Sequence, residues 1–169
     1  MDETASMNLE EASILFEKMI PRLLIAEHEA LTEAGRFIRG ASRGMLGSYQ
    51  TGVGPFQDWA PLAEETHRRR VQLGFPPDDP LLRNTELRTA IDFTVVGDTA
   101  YVGVPNKMVG DGSKRNPTRN IGMVAEDLEL GTSKMRPRSF LGLALARHEK
   151  SVVALMVMRV IRVLMGAAI

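Results

Sequence analysis

The stretch AIDFTVVGDTAYVGV, residues 90–104, decides the fold class of this chain of 169 residues. Apolar and polar side chains alternate from Ala90 to Val96 and again from Thr99 to Val104. Strict alternation is the pattern of a strand with one buried face. Gly97-Asp98 separates the two runs and is a turn signal. The stretch therefore predicts an antiparallel β-hairpin.

The segments after the hairpin predict a loop and a final helix. Residues 105–120, PNKMVGDGSKRNPTRN, contain nothing that is expected to pack into a core, and we interpret them as a long polar loop. Residues 121–130 fit either a short helix or an extended segment. Apolar residues recur on one side of residues 139–165, which predicts a C-terminal helix.

The segment before the hairpin predicts a long helix. Apolar residues recur every three or four positions from Leu9, and this pattern extends to about Arg39. Pro21 lies inside the pattern and predicts either a kink or a junction between two helices.

The regions that flank this helix are predicted to be less regular. Residues 1–7 form a frayed polar tail, and Asn8 or Ser6 caps the helix. Residues 40–58 are rich in Gly and Ser and predict a long loop, followed by a short helix over residues 60–73. Together these elements predict a single α+β domain over residues 1–169. Its long N-terminal helix and its C-terminal helix pack on a small antiparallel sheet, with long loops between the elements.

Composition and charge exclude several classes of function. Lys plus Arg equals Asp plus Glu at 21 each, so the net charge gives no whole-molecule reason for nucleic-acid or membrane binding and weakly favours self-association. No cysteine is present, which excludes disulfides and thiol catalysis. The most apolar segment, residues 152–165, is interrupted by Arg159 and Arg162, and it falls short of the ~18 uncharged residues of a membrane span. The acidic N-terminus predicts no secretory signal.

The sequence contains no recognisable catalytic, cofactor-binding or metal-binding pattern. The three histidines, His28, His67 and His148, are far apart and do not have the spacing of a zinc protease motif. TGVGPF, residues 51–56, lacks the third glycine of a dinucleotide fingerprint, and no strand precedes it. We therefore expect a protein that is not an enzyme and that has no catalytic, cofactor or metal residues.

Three basic clusters and two apolar features leave alternatives open. Each basic cluster is interpreted as a solvated face, a protein interface or a nucleic-acid contact. The clusters are HRRR at 67–70, Lys114-Arg115 with Arg119, and Lys134 with Arg136 and Arg138. Trp59 is either an anchor between loop and core or an interface hot spot. The C-terminal segment ALMVMRVIRVLM is apolar on more than one face, so it is either a central core helix or partly covered by another subunit.

Four blocks of sequence occur in an order that resembles a known family. The blocks are Trp59-Ala60-Pro61-Leu62 with Thr66, then Pro80–Leu87, then Tyr101–Val104, and last Glu129–Thr132 with Met135–Leu141. This ordered set resembles the small tail-completion or minor tail proteins of long-tailed bacteriophages and prophages. Three departures concern local turns. Asn84-Thr85-Glu86 replaces a Thr-Gly arrangement, Pro137 lies before Arg138, and Ser139 stands where the family usually has proline.

The resemblance implies a virion protein at the head–tail junction or the tail end that catalyses no reaction. The expected role is a tail-completion or neck subunit that forms a ring, often six-fold, and joins the tail tube to the head–tail connector. The implied partners are other copies of the chain, the tail tube or tail terminator protein, and the connector or stopper protein, with passive contact with passing DNA and none with a membrane. Assembly would take place in the host bacterial cytoplasm. The alternatives are a stopper or terminator role and, from the basic clusters, a small nucleic-acid-binding regulator.

The last block predicts a stiff corner, which we call the elbow and define as residues 129–140. Gly131 is expected to adopt a positive φ and Pro137 to fix φ. Arg138 has five donors for backbone carbonyls or for a neighbour's carboxylate, and Phe140 is expected to enter the core. The predicted structural and interface residues are Trp59, Leu62, Gly131, Thr132, Arg136, Pro137, Arg138 and Phe140.

Overall fold

The computed structural model describes residues 8–165 and has the predicted mixed α+β composition. A long N-terminal helix, a C-terminal helix and a small antiparallel sheet are all present, as expected from the sequence. The prediction of a frayed tail over residues 1–7 lies outside the described residues. The helices are α1 (Leu9–Met45), α2 (Glu64–Gln72), α3 (Glu86–Ala90), α4 (Ile121–Leu130) and α5 (Leu141–Leu164), and the strands are β1 (Asp92–Val96), β2 (Thr99–Gly103), β3 (Met108–Val109) and β4 (Arg119–Asn120).

The predicted hairpin forms and packs on α1. Strands β1 and β2 pair antiparallel, with Val96 opposite Thr99 across the turn, and Gly97 adopts a φ of 59° there. Both strands contact α1. Gly35 of α1 lies against Phe93 of β1 so closely that an added Cβ would be 2.5 Å from the ring.

Helix α1 is longer and more continuous than the sequence predicts. Asn8 caps it in a capping box with Glu11, as expected for one of the two candidate caps. Pro21 lies inside the helix without dividing it, so the alternative of two separate helices is wrong. The expected end near Arg39 is also wrong, because the helix continues through two glycines to Met45. Each helical glycine costs only about 0.5–1 kcal/mol, and burial of the Met45 side chain offsets that cost.

Helix α5 lies antiparallel to α1. The Phe37 ring meets the His148 ring edge-on at 5.2 Å between centroids. Further along, the Arg159 guanidinium reaches Glu33 at 2.8 Å and Glu29 at 3.4 Å. Residue numbers along α1 therefore decrease in the direction in which residue numbers along α5 increase.

The segment after the hairpin is more ordered than a polar loop. Strands β3 and β4 pair Met108 with Asn120 and Val109 with Arg119, and Val109 packs against the core. The prediction that nothing in residues 105–120 packs into a core is therefore wrong. The sequence did not indicate this pairing, because strands β3 and β4 have only two residues each and form only when the chain between them folds back. Residues 121–130 are helical, which settles their ambiguity; the Asn120 side chain caps them by accepting from the Gly122 and Met123 backbone N–H groups.

The main core lies at the C-terminal end of α1 and beneath the elbow. Phe140, Ile91, Ile121 and Leu143 are its largest fully buried apolar side chains, and Met45 and Leu46 join them from the end of α1. Helix α2 begins at Glu64, later than the predicted start at residue 60, and the extended segment before it leaves backbone carbonyls free to bind the elbow. Among the described helices none is long and apolar enough to cross a membrane.

Candidate assembly site

Hydrogen bonds join the elbow to the segment that contains Trp59. The Trp59 side chain is buried, and its indole Nε1–H donates to the Ser139 carbonyl at 3.1 Å. The Arg138 guanidinium donates to the Ala60 carbonyl at 2.9 and 3.1 Å and to the Pro61 carbonyl at 3.1 Å. The first and last sequence blocks behind the family resemblance thus form one corner in three dimensions.

Glu129 caps helix α5 from outside that helix. Its carboxylate accepts hydrogen bonds from the backbone N–H groups of Phe140, Leu141 and Gly142 at 2.8–3.0 Å, and from the Ser139 hydroxyl. The α5 N-cap residue makes no side-chain cap of its own. A carboxylate at this position satisfies orphan N–H donors and complements the positive end of the helix dipole.

Two glycines allow the chain to approach itself closely at this corner. Gly131 has a φ of 78°, as predicted from the sequence. An added Cβ there would be 2.9 Å from the Met135 carbonyl oxygen and the Pro137 ring. At Gly142 an added Cβ would be 2.6 Å from the Phe56 ring and 3.1 Å from the Glu129 carboxylate. Larger residues at either position would open the corner.

Burial divides the predicted structural and interface residues into three groups. Trp59, Arg138 and Phe140 are buried and hold the corner together, while Leu62 and Gly131 are half-buried. Within the described chain Trp59 is the anchor between loop and core, and Arg138 binds carbonyls of its own chain. The exposed members, which remain free to meet a partner, are Thr132, Arg136 and Pro137.

A cleft of about 670 Å³ opens beside the elbow, and we call it the basic cleft. Its apolar wall includes Leu62, Leu81, Leu87, Ile121, Val124 and Leu128. Its cationic side chains are Arg70, Arg83, Arg119, Lys134, Arg136 and Arg138. No acidic residue is among the described residues that line it. The sequence did not predict this site, because its cations come from four separate segments that only the fold brings together.

The buried cations of the cleft are bound mainly by neutral oxygens. Arg70 donates to the Asp79 carbonyl at 2.6 Å and to the Pro76 carbonyl at 3.3 Å. Burial lowers the pKa of both Arg70 and Arg138. Burial also lowers the pKa of Arg83, and the positive charge of Arg119 adds to that effect. Backbone carbonyls satisfy the N–H donors but leave the positive charge in place.

The cleft therefore has an excess of positive charge. Arg119 forms an ion pair with Glu86. Over residues 8–165 no carboxylate forms an ion pair with any of the other five cations. Lys134 and Arg136 are exposed at its rim. A site of this kind fits a ligand that combines negative charge with apolar groups.

The HRRR cluster does not form a continuous basic surface. Arg70 points into the cleft, and the His67 Nε2 lies 3.2 Å from an Asp78 carboxylate oxygen. Only Arg68 and Arg69 are exposed. This arrangement gives no specific support to nucleic-acid binding by this cluster.

Helix α5 exposes an apolar face, which we call the α5 face. Val153, Val157, Met158 and Leu164 are each about half exposed, at 55%, 49%, 53% and 53%. Their spacing places them on one broad side of the helix. Of the two interpretations of this segment, the central core helix is wrong, because the described chain leaves this side uncovered.

Comparisons with known proteins leave the family unassigned. The chain matches no family model, no curated protein and no solved structure among those searched. Within residues 8–165 no group of three or more His, Asp or Glu side chains is placed to hold a metal ion.

Proposed function

We propose that this chain is a structural virion protein of a tailed phage, a tail-completion or neck subunit. In this proposal copies form a six-fold ring that joins the tail tube to the head–tail connector. The ordered sequence blocks support the proposal, because two of them meet in the corner of Trp59 and Arg138. A stopper or terminator role uses the same kind of ring and remains the nearest alternative.

The α5 face is the observation that carries the proposal. Large exposed apolar patches commonly mark protein interfaces, and the exposed apolar side chains of this face are the kind that such patches contain. Burying this face against another copy would contribute about 25 cal/mol per Å² of apolar surface removed from water. The apolar side chains of the N-terminal half of α1 add to the uncovered surface, with Phe16 62% and Ile20 56% exposed.

The elbow supports the proposal in a second way. A closed ring requires every subunit to present its interfaces at one fixed angle. The Glu129 cap and the Arg138 hydrogen bonds fix where α5 leaves the body of the protein. In this account the corner sets the ring geometry, and no residue acts as a catalyst.

The proposed partners follow from the proposed position in the virion. They are other copies of the chain, the tail tube or tail terminator protein, and the connector or stopper protein. Passing DNA would make passive contact only. The ring would assemble in the bacterial cytoplasm and remain in the tail or neck of the virion.

Mutation of the α5 face tests self-assembly. We expect Val153→Gln with Val157→Gln to reduce the mass measured by light scattering after size exclusion, because the interface loses apolar area. Glu149→Gln with Lys150→Gln is the matched control on the same helix, where both residues are exposed and the net charge is unchanged. Equal masses for the two double variants would contradict the proposal.

A further inference from the structure

We propose that the basic cleft receives the acidic N-terminal arm of a neighbouring copy. The N-terminal arm is defined as residues 2–17, DETASMNLEEASILFE. The contact would be head-to-tail, with the arm of each subunit in the cleft of the next. The inference rests on the proposed self-assembly and adds a second contact between copies to that of the α5 face.

The cleft selects for a ligand with two properties. Five of its cations have no ion pair within residues 8–165, and Lys134 and Arg136 stand exposed at the rim. Its wall is made of leucine, isoleucine and valine side chains. A nucleic-acid backbone would neutralise the cations but offer nothing apolar to the wall. An acidic peptide with apolar side chains satisfies both.

The arm has this chemistry. It contains Asp2, Glu3, Glu10, Glu11 and Glu17 and no Lys or Arg. In its described part Leu9 is 90% exposed and Phe16 62% exposed. Glu10 and Glu17 are exposed as well, so the described part of the arm presents both acidic and apolar side chains to solvent.

The arm of the same chain cannot reach the cleft. Leu81 and Leu87 of the cleft wall pack in one core with Met45, at the C-terminal end of α1. The 37 residues of α1 span about 55 Å. Residues 1–7 add at most about 25 Å, at about 3.5 Å each, so the arm as defined falls short. The occupant must come from another copy, and a head-to-tail contact that repeats by rotation closes into a ring.

Charge exchange between arm and cleft tests the contact in the full chain. The cleft variant carries Lys134→Glu and Arg136→Glu, and the arm variant carries Asp2→Lys, Glu3→Lys and Glu10→Lys. We expect each alone to lose the ring, because the charges at the cleft rim and on the arm then have the same sign where they meet. An equimolar mixture restores the ring, since each native arm meets a native cleft and each reversed arm meets a reversed cleft. Native mass spectrometry should show alternating subunits.

A control and three contrary outcomes complete the test. Arg68→Glu with Arg69→Glu reverses two exposed cations outside the cleft and should leave the ring intact. If the cleft variant keeps the ring, or if the mixture fails to recover it, the inference is overturned while the proposed ring function stands. A cleft variant that keeps the ring but loses binding to a short DNA duplex assigns the cleft to nucleic acid. A wild-type chain that is monomeric at every concentration overturns both proposals.

Discussion

At the residue scale, Glu129 shows how a single side chain fixes a helix that begins far from it in sequence. Its carboxylate receives three backbone N–H groups and one hydroxyl at the start of α5. Sequence rules search for caps next to the helix, where Phe140 offers none. For Arg138, the sequence predicted hydrogen bonds either to backbone carbonyls or to a neighbour's carboxylate. The cap could not be predicted, because it depends on how α4 packs against the elbow.

Removal of the Glu129 carboxylate should destabilise the fold. We expect Glu129→Ala to lower the free energy of unfolding by about 1–2 kcal/mol, because the first N–H groups of α5 lose their partner. Urea unfolding followed by circular dichroism measures the change. Glu126→Ala, at an exposed position of the same helix α4, is the control and should change the free energy by less than about 0.5 kcal/mol. Similar losses for both variants would refute the capping role.

Glu86 should make stability depend on acid. Burial alone would raise the pKa of Glu86, but hydrogen bonds from Asn116 and Asn84 and the charge of Arg119 lower it below 4.5. Because the folded pKa is the lower one, this contribution is fully present above the unfolded pKa and is lost as pH falls through the folded pKa.

Substitution of Glu86 by glutamine tests this dependence. Glu86→Gln should flatten the fall in unfolding free energy as the pH drops below about 5. Urea unfolding across that range, with Glu126→Gln as the exposed control, provides the measurement. An unchanged slope in Glu86→Gln would show that the carboxylate does not contribute.

At the element scale, the strongly periodic segments were predictable and the exceptions have tertiary causes. The alternation of residues 90–104 gave the hairpin, and the three-to-four spacing gave α1 and α5. The end of α1 was missed because local rules give Gly40 and Gly44 more weight than the packing of Met45. The basic cleft was invisible in the sequence, since Arg70, Arg83 and Arg136 meet only after folding.

Two glycines of α1 should respond to alanine in opposite directions. Gly35→Ala places a Cβ 2.5 Å from the Phe93 ring, so we expect a loss of about 1–3 kcal/mol as the hairpin shifts on α1. Gly40→Ala has no atom within 4 Å of the new Cβ, and it should stabilise the helix by about 0.5–1 kcal/mol. Thermal and urea unfolding compare the pair. Stabilisation by Gly35→Ala would mean that the sheet does not rest on this part of α1.

At the scale of the whole molecule, three surfaces of the described chain have no counterpart within the same subunit. Its α5 face is apolar and uncovered. Five of the six cations of its cleft have no ion pair within residues 8–165, and its N-terminal arm is acidic with exposed apolar side chains. Each feature leaves apolar surface or charge without a partner in a single subunit, and a contact between copies would supply that partner. The proposed repeated assembly, held by rigid corners, would account for all three, and the proposed role as a tail-completion or neck subunit requires such an assembly.

Native mass spectrometry of the purified wild-type chain, over a range of concentrations and at moderate salt, tests the central claim most directly. We predict one closed species whose mass is six times that of the 18.6 kDa subunit. A single peak at the subunit mass under all conditions, with no higher species, would contradict the proposal that this protein acts by assembling with itself.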